Sequence, residues 1–137
     1  MLMMIFLSCT KSKRNEKCKA KDMYISDLFK KSLQYAESLK PDKIFILSAK
    51  YGLLNLDDII APYNQTLKGA NNETCKHWAM MVYKQMLEQK IDFAEKAIFL
   101  CGVNYRRYLM TKFKNASAPM KNIRIGKQLE FYTKNLK

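Results

Sequence analysis

The sequence predicts an α/β domain, a three-layer α/β/α sandwich around a small, mainly parallel sheet of three or four strands. Unbroken apolar runs at 3–7, 44–47 and 97–101 read as strands buried on both faces. Between them lie longer segments whose apolar residues recur at helical spacing. Strands separated by helices need crossover connections, which make the sheet parallel and cover both of its faces.

The first run, Met3 to Leu7, ends in Ser8-Cys9-Thr10-Lys11-Ser12-Lys13-Arg14, where small polar and basic residues break the pattern. Residues 15–23 read as a charged loop. A helix follows, with Ser26 or Asp27 as its cap, Leu28, Phe29, Leu33, Ala36 and Leu39 along one face, and Pro41 as its stop. The second strand, Lys43 to Ser48, leaves through Ala49-Lys50-Tyr51-Gly52-Leu53-Leu54. Residues 55–71 form a long connection carrying Asp57, Asp58, Pro62, Tyr63 and Asn64, and long connections in small domains are usually functional or mobile. Asn72 to Gln89 is the clearest helix, with Cys75, Trp78, Met81, Val82 and Met86 near one face. After the third strand, Lys96 to Cys101, Gly102 permits a turn and Asn104 caps a short helix through Phe113. A polar loop over 114–122 precedes Ile123 and Ile125, which form either a short fourth strand or an extended lead-in to a final helix over 127–136.

The 137 residues suit one domain spanning 1–137, and 48% apolar content with four Gly and three Pro leaves no room for a disordered tract. Lys and Arg total 25 against 12 acids, a formal charge of +13. Such an excess suits a phosphate-bearing partner, and the competing explanation is a lysine-rich composition with a solvated surface. Cys9, Cys18, Cys75 and Cys101 form no C-x-x-C pair, and the opening residues lack the basic flank and length of a secretory signal. Free thiols in a reducing cytoplasm are expected, with no membrane span. Cys75 and His77, two apart on a helix, do not face each other, so no metal is expected, and nothing in the sequence asks for a cofactor.

In a parallel sheet, ligands gather at the carboxyl ends of the strands. Topology therefore brings together the polar exits Ser8 to Arg14, Ser48 to Gly52 and Cys101 to Tyr105. The first exit, with Ser8, Lys11 and Lys13, is placed to hold a phosphate or carboxylate, although it lacks the glycines of a Walker loop. Cys9 sits among cations that favour a thiolate, while Cys9 and Cys101 as small buried thiols is the structural alternative. Asp57 is placed to position water or steady an oxocarbenium-like sugar, and the alternative is a turn-forming aspartate. Tyr24, Tyr51, Tyr63 and Tyr105 either stack on a base or pack at the rim of the core. Arg106, Arg107 and Tyr108 beside Tyr105 suit a nucleic-acid backbone, or else are snorkelling surface residues. The candidate catalytic residues are Asp57, Lys50 and Cys9. The candidate binding residues are Ser8, Lys11, Lys13, Tyr24, Ser26 and Ser48 early in the chain, then Tyr51, Tyr63, Asn64, Cys101, Gly102 and Tyr105.

The order S-C-T-K-S-K (from Ser8), D-x-Y-x-S-x-L-F (from Asp22), L-S-A-K-Y-G-L-L (from Leu47), P-Y-N-Q-T-L (from Pro62) and I-G-K-Q-L (from Ile125) resembles a family of small bacterial and phage domains of unknown function, over nearly the whole chain. The resemblance implies relatives with histidine where this chain has Tyr51, so a histidine-dependent mechanism does not carry over. More distantly, the Cys–Lys loop followed by Tyr and Ser resembles the catalytic domain of archaeosine synthase, a tRNA deazaguanine-modifying protein. Its P-C-x-x-x-K-P-Y-x-x-S-x-x-H motif is partly present: Cys9, Lys13, Tyr24 and Ser26 correspond, an insertion separates Lys13 from Tyr24, and the Pro and His are missing. That domain is similar to the uracil-DNA glycosylase fold, and the peroxide-stress YaaA proteins are a further similar family.

These similarities imply nucleobase or nucleic-acid chemistry. The leading expectation is an enzyme, glycosylase-like, acting on a nucleobase in DNA, RNA or a nucleotide. Tyr24, Tyr51 or Tyr63 would hold the base, Lys11, Lys13 and Lys50 the phosphate, and Asp57 would assist bond cleavage. The rival is a non-catalytic nucleotide or nucleic-acid binder of phage or host defence, and a protein–protein regulator would instead show an exposed apolar patch.

Overall fold

The structure is a computed structural model that describes residues 2–121, 123 and 125–136. The elements run β1 (Met3–Ser8), β2 (Cys18–Lys19), α1 (Ala20–Met23), α2 (Asp27–Ser38), β3 (Lys43–Ser48), β4 (Gly52–Asn55) and β5 (Ile59–Ile60). Then come α3 (Asn72–Glu88), β6 (Lys96–Leu100), α4 (Val103–Arg106), a 3-10 turn (Met110–Lys112), β7 (Asn115–Ser117) and α5 (Ile125–Asn135).

The three apolar runs form the middle of a five-stranded sheet in the order β4-β3-β1-β6-β7. β1 lies between β3 and β6 and is parallel to both, with Leu7 opposite Ile46 on one side and Leu100 on the other. The sheet is covered on both faces, as the continuous apolar runs require. Met4 and Phe6 point into a core shared with Trp78, Val82 and Met86 of α3. Their neighbours Ile5 and Leu7 point into a second core shared with Phe29 and Ala36 of α2 and Tyr132 of α5. Phe6 stacks between Phe45 at 5.4 Å and Phe99 at 4.7 Å, which ties the three central strands through one layer of rings.

Helix starts follow local chemistry. Ser26 accepts the backbone N–H of Phe29 at 3.2 Å, and Asn71 accepts that of Thr74 at 2.9 Å, each cap stabilising its helix by about 1 kcal/mol. Asn104 was expected to cap the helix after the third strand and does not. That helix starts after Gly102, and the Asn104 carboxamide instead donates to the carbonyl of Leu67 at 2.7 Å.

Two strands of the five-stranded sheet depart from the sequence reading. β4 turns back on β3 as an antiparallel hairpin, with Gly52 opposite Ser48 and Asn55 opposite Phe45. Gly52 makes that turn with φ of +77°. The fourth parallel strand is β7, inside the stretch expected to be a polar loop, paired with β6 through Ala97 and Ala116. At an edge, three residues with one inward alanine suffice, so no apolar run marks it. Ile123 lies in a bend and Ile125 begins α5, so neither is in a strand; residues 122 and 124 of that stretch lie outside the described residues. The expected charged loop over 15–23 holds β2 and α1, and β2 pairs with β5.

Candidate functional site

Because β1, β3 and β6 run in one direction and in register, Ser8, Ser48 and Cys101 end at one edge of the sheet. The ladder continues one residue further, where Cys9 donates its N–H to the Leu47 carbonyl at 3.0 Å. That fixes the Cys9 side chain over the strand ends. Its thiol donates to the Tyr105 hydroxyl at 3.3 Å, and the same oxygen accepts the N–H of Leu67 at 3.1 Å.

Ser48 is fully buried and anchors the other half of the cluster. Its hydroxyl accepts the N–H groups of Lys50 and Tyr51, shaping the turn into β4, and donates to Tyr63 at 2.8 Å. Tyr63 shares a 2.6 Å hydrogen bond with Tyr24. Tyr24 arrives from the excursion after β1, whose two limbs are joined by a bridge between Lys13 and Tyr24 and by Ile25 donating to Ser12. The bridge lays the Lys13 amino group 4.5 Å from the Tyr63 ring centre and 5.9 Å from that of Tyr24. Ser26, besides capping α2, donates to the Thr10 hydroxyl at 3.1 Å and ties the excursion back to the β1 exit.

The electrostatics follow from burial. Tyr24, Tyr63 and Tyr105 are pushed far above the ordinary tyrosine range by loss of solvent, with the neighbouring Cys9 adding to the shift. Near neutral pH they are uncharged phenols that can donate hydrogen bonds. Lys13 is pulled below the ordinary lysine range by burial, and the Cys9 thiol opposes that shift. Cys101 is a different kind of thiol. Burial raises it strongly despite the nearby Arg106, and it donates to the Phe6 carbonyl at 3.1 Å.

Between β1 and β6 the strand order reverses, and at such points open α/β sheets hold ligands. A cavity of about 30 Å³ lies there, with Ser8, Thr10, Cys101 and Gly102 on the strand side and Ser32 and Tyr132 on the helix side. That volume is on the scale of a water or a single polar group.

The structure therefore groups Ser8, Cys9, Lys13, Tyr24, Ser26 and Ser48 with Tyr51, Tyr63, Cys101, Gly102 and Tyr105. The Tyr51 hydroxyl is engaged by the backbone of Ala61 at 3.2 and 3.3 Å, and its ring packs edge-on to Tyr63. Lys11, Lys50 and Asn64 are exposed beside these residues in sequence, with the Lys50 amino group 5.3 Å from the Tyr51 ring centre. Asp57 is elsewhere. The β3–β4 hairpin carries the chain back toward the start of β3, where Asp57 is 72% exposed and meets Lys21 and Lys19 at 3.6 and 3.7 Å. It lines a shallow pocket with Pro41 and Lys43, at the opposite end of the sheet from Ser48. The sequence reading missed this because it took 49–54 as the exit of the strand and 55–71 as a connection continuing from it, with no strand turning back between them. It also passed over Thr10, which stood between assigned neighbours, and Gln85 of α3. Gln85 clamps the hairpin by accepting from Leu53 at 2.8 Å and donating to Tyr51 at 3.0 Å. A polar residue at the margin of an apolar helical stripe gives no sequence signal of such a role.

Residues 4–134 match the family described as "Family of unknown function (DUF6884)", and the chain belongs to that family. No curated protein matches the chain. Among the described residues no helix is long and apolar enough to cross a membrane.

Proposed function

We propose that this chain is an enzyme directed at a nucleobase, carried by a nucleotide or a nucleic acid, with its reaction centre around Cys9 and Lys13. The observation that supports this reading is convergence. A thiol, a partly desolvated lysine, a buried serine and three phenols reach one edge of the sheet from five separate stretches of chain. Lys11, Lys13 and Lys50 supply the positive charge for phosphate, the half-buried ring of Tyr51 supplies a face for a base, the buried tyrosines hold the floor beneath, and Cys9 supplies a nucleophile. Asp57 has no part in it. Glycosidic cleavage assisted by Asp57 therefore gives way to chemistry through a thiol or an amine.

The test separates binding from turnover. Purified protein is incubated with DNA, RNA and nucleotides, modified and unmodified, and released or altered bases are sought by mass spectrometry. A product that disappears in Cys9→Ser while binding persists is the expected result, together with weakened binding in Lys13→Met. Intact substrates of every class at high protein concentration would rule the enzyme out.

A second reading keeps the ligand and drops the reaction. It is favoured by one observation: the cluster contains no histidine or carboxylate, and the sole histidine, His77, is exposed on α3 beside Glu73 at 3.9 Å. Steeply salt-dependent binding without turnover would identify that case.

A further inference from the structure

We infer that the surface strip where α3 meets the α4 region is a track for single-stranded nucleic acid leading away from the strand-end site, so that the ligand is a polymer. The inference rests on the proposed nucleobase-directed site and names its substrate class.

One edge of α3, carrying Asn72, Lys76 and Tyr83, faces α4 and the 3-10 turn. Arg107 donates from its guanidinium to the Asn72 carboxamide oxygen. The Arg107 guanidinium and the Lys76 amino group lie 6.0 and 5.9 Å from the Tyr108 ring centre. Further along, the Lys112 amino group lies 4.7 Å from the ring centre of Tyr83, which is braced on Phe93 at 5.5 Å. Cation and ring thus alternate along a strip of about 16 Å, taking the helical rise from Asn72 to Tyr83. Lys76, Arg107 and Lys112 are exposed, and Tyr83 and Tyr108 are half-buried, so the rings are held while the cations stay in solvent.

The strip begins at the candidate site. Arg107 and Tyr108 follow Tyr105 within a turn of chain, and the Tyr105 hydroxyl is the partner of Cys9. Alternating positive charge and aromatic surface matches what a single strand presents, a phosphate and a flat base at each step. A duplex hides its base faces, and an acidic peptide would use the cations and leave the rings idle. Each half-buried ring offers stacking surface at little ordering cost, because packing already holds it.

The experiment compares a roughly ten-nucleotide single strand with a mononucleotide, using anisotropy over a salt series. The variant Lys76→Gln/Arg107→Gln/Lys112→Gln changes only exposed side chains. It is expected to weaken the oligonucleotide about ten-fold or more and to lower its salt slope by about 2, from three lost phosphate contacts. Mononucleotide binding should stay as in the parent. Tyr108→Leu should weaken the oligonucleotide about five-fold, and Tyr108→Phe should restore it, because the ring and not the hydroxyl stacks. An unchanged oligonucleotide affinity in the triple variant overturns the track and leaves the strand-end site standing. Oligonucleotide binding with the expected losses but no mononucleotide binding supports the track and counts against the strand-end site. Equal competition by polyglutamate overturns the assignment to nucleic acid.

Discussion

Raising the pH should unfold this protein cooperatively, and the buried tyrosines set where. Tyr24, Tyr63, Tyr105 and Tyr132 are 1%, 7%, 8% and 1% exposed, and burial holds all four phenols far above the ordinary tyrosine range. A group whose folded pKa is raised binds its proton more tightly in the native state, so its contribution is present below the unfolded value and is lost as pH rises past it. With an unfolded value near 10, each phenol that stays protonated in the fold costs about 1.4 kcal/mol of stability at pH 11 and about 2.7 at pH 12. Four together remove about 6 kcal/mol at pH 11 and about 11 at pH 12, against a typical domain stability of about 5–15 kcal/mol. Lys13 works in the opposite sense: its depressed folded value makes the unfolded chain the better proton binder, so this one group favours folding more as pH rises toward the ordinary lysine range. The net expectation is an alkaline midpoint at about pH 11–12. Tyrosinate absorbance and far-ultraviolet circular dichroism, followed on the same samples, test it. Part of the tyrosinate signal of the eight tyrosines should appear only as the dichroism collapses. Complete ionisation of all eight at ordinary tyrosine pH with unchanged dichroism would refute the reasoning.

Three further outcomes are expected. Tyr63→Phe leaves the buried hydroxyls of Tyr24 and Ser48 without their shared partner and should cost about 2–4 kcal/mol in urea unfolding. Adding Tyr24→Phe should cost less than its separate effect, since an orphaned phenol is removed with it, and strict additivity would contradict the network. Gly52→Ala places a Cβ against the Gln85 carboxamide and the Met81 methyl at a φ of +77°, and should lose about 2–3 kcal/mol; an unchanged Tm would be the contrary result. Iodoacetamide on the native protein, read by peptide mass spectrometry, should modify partly exposed Cys9 before the raised thiol of Cys101 and before Cys75, which is 1% exposed, and labelling in the reverse order would count against the site.

The fold was legible wherever burial leaves a mark on composition. Runs such as Ile44 to Leu47 must be apolar throughout because both faces of the sheet are covered, so β1, β3 and β6 stand out in the sequence, as does Ser26, one of the two residues read as the cap of α2. β4 and β7 did not. β4 follows β3 after a three-residue turn made by the buried hydroxyl of Ser48 and by Gly52, and the string reads as one strand and its exit. β7 is a short edge strand whose polar residues need no core. Convergence of the strand exits was legible because register and parallel direction follow from the crossovers. The exclusion of Asp57 was not, since it depends on the one hairpin the pattern concealed.

What the cluster offers chemically comes from its lack of an internal counter-charge. Among the described residues no carboxylate pairs with Lys13; its amino group donates to the Lys11 carbonyl at 3.3 Å, and the surfaces beside it are tyrosine rings and a thiol. A lysine in that setting bears a desolvation cost that its surroundings only partly offset, through ring faces and one backbone carbonyl. An anion bound there, as the proposed function has it, would supply what is missing: it would stabilise the ammonium form and raise its pKa, so binding and proton uptake by Lys13 would be coupled in sign. The phenols complement this, because burial keeps them neutral and therefore donors, and their hydroxyls are fixed to Ser48, to each other and to Cys9 rather than to solvent. Under the proposed reading, this hydrogen-bonded floor beneath a lysine without an acidic partner would be ordered before a ligand came, so that little of the binding energy would go into arranging it.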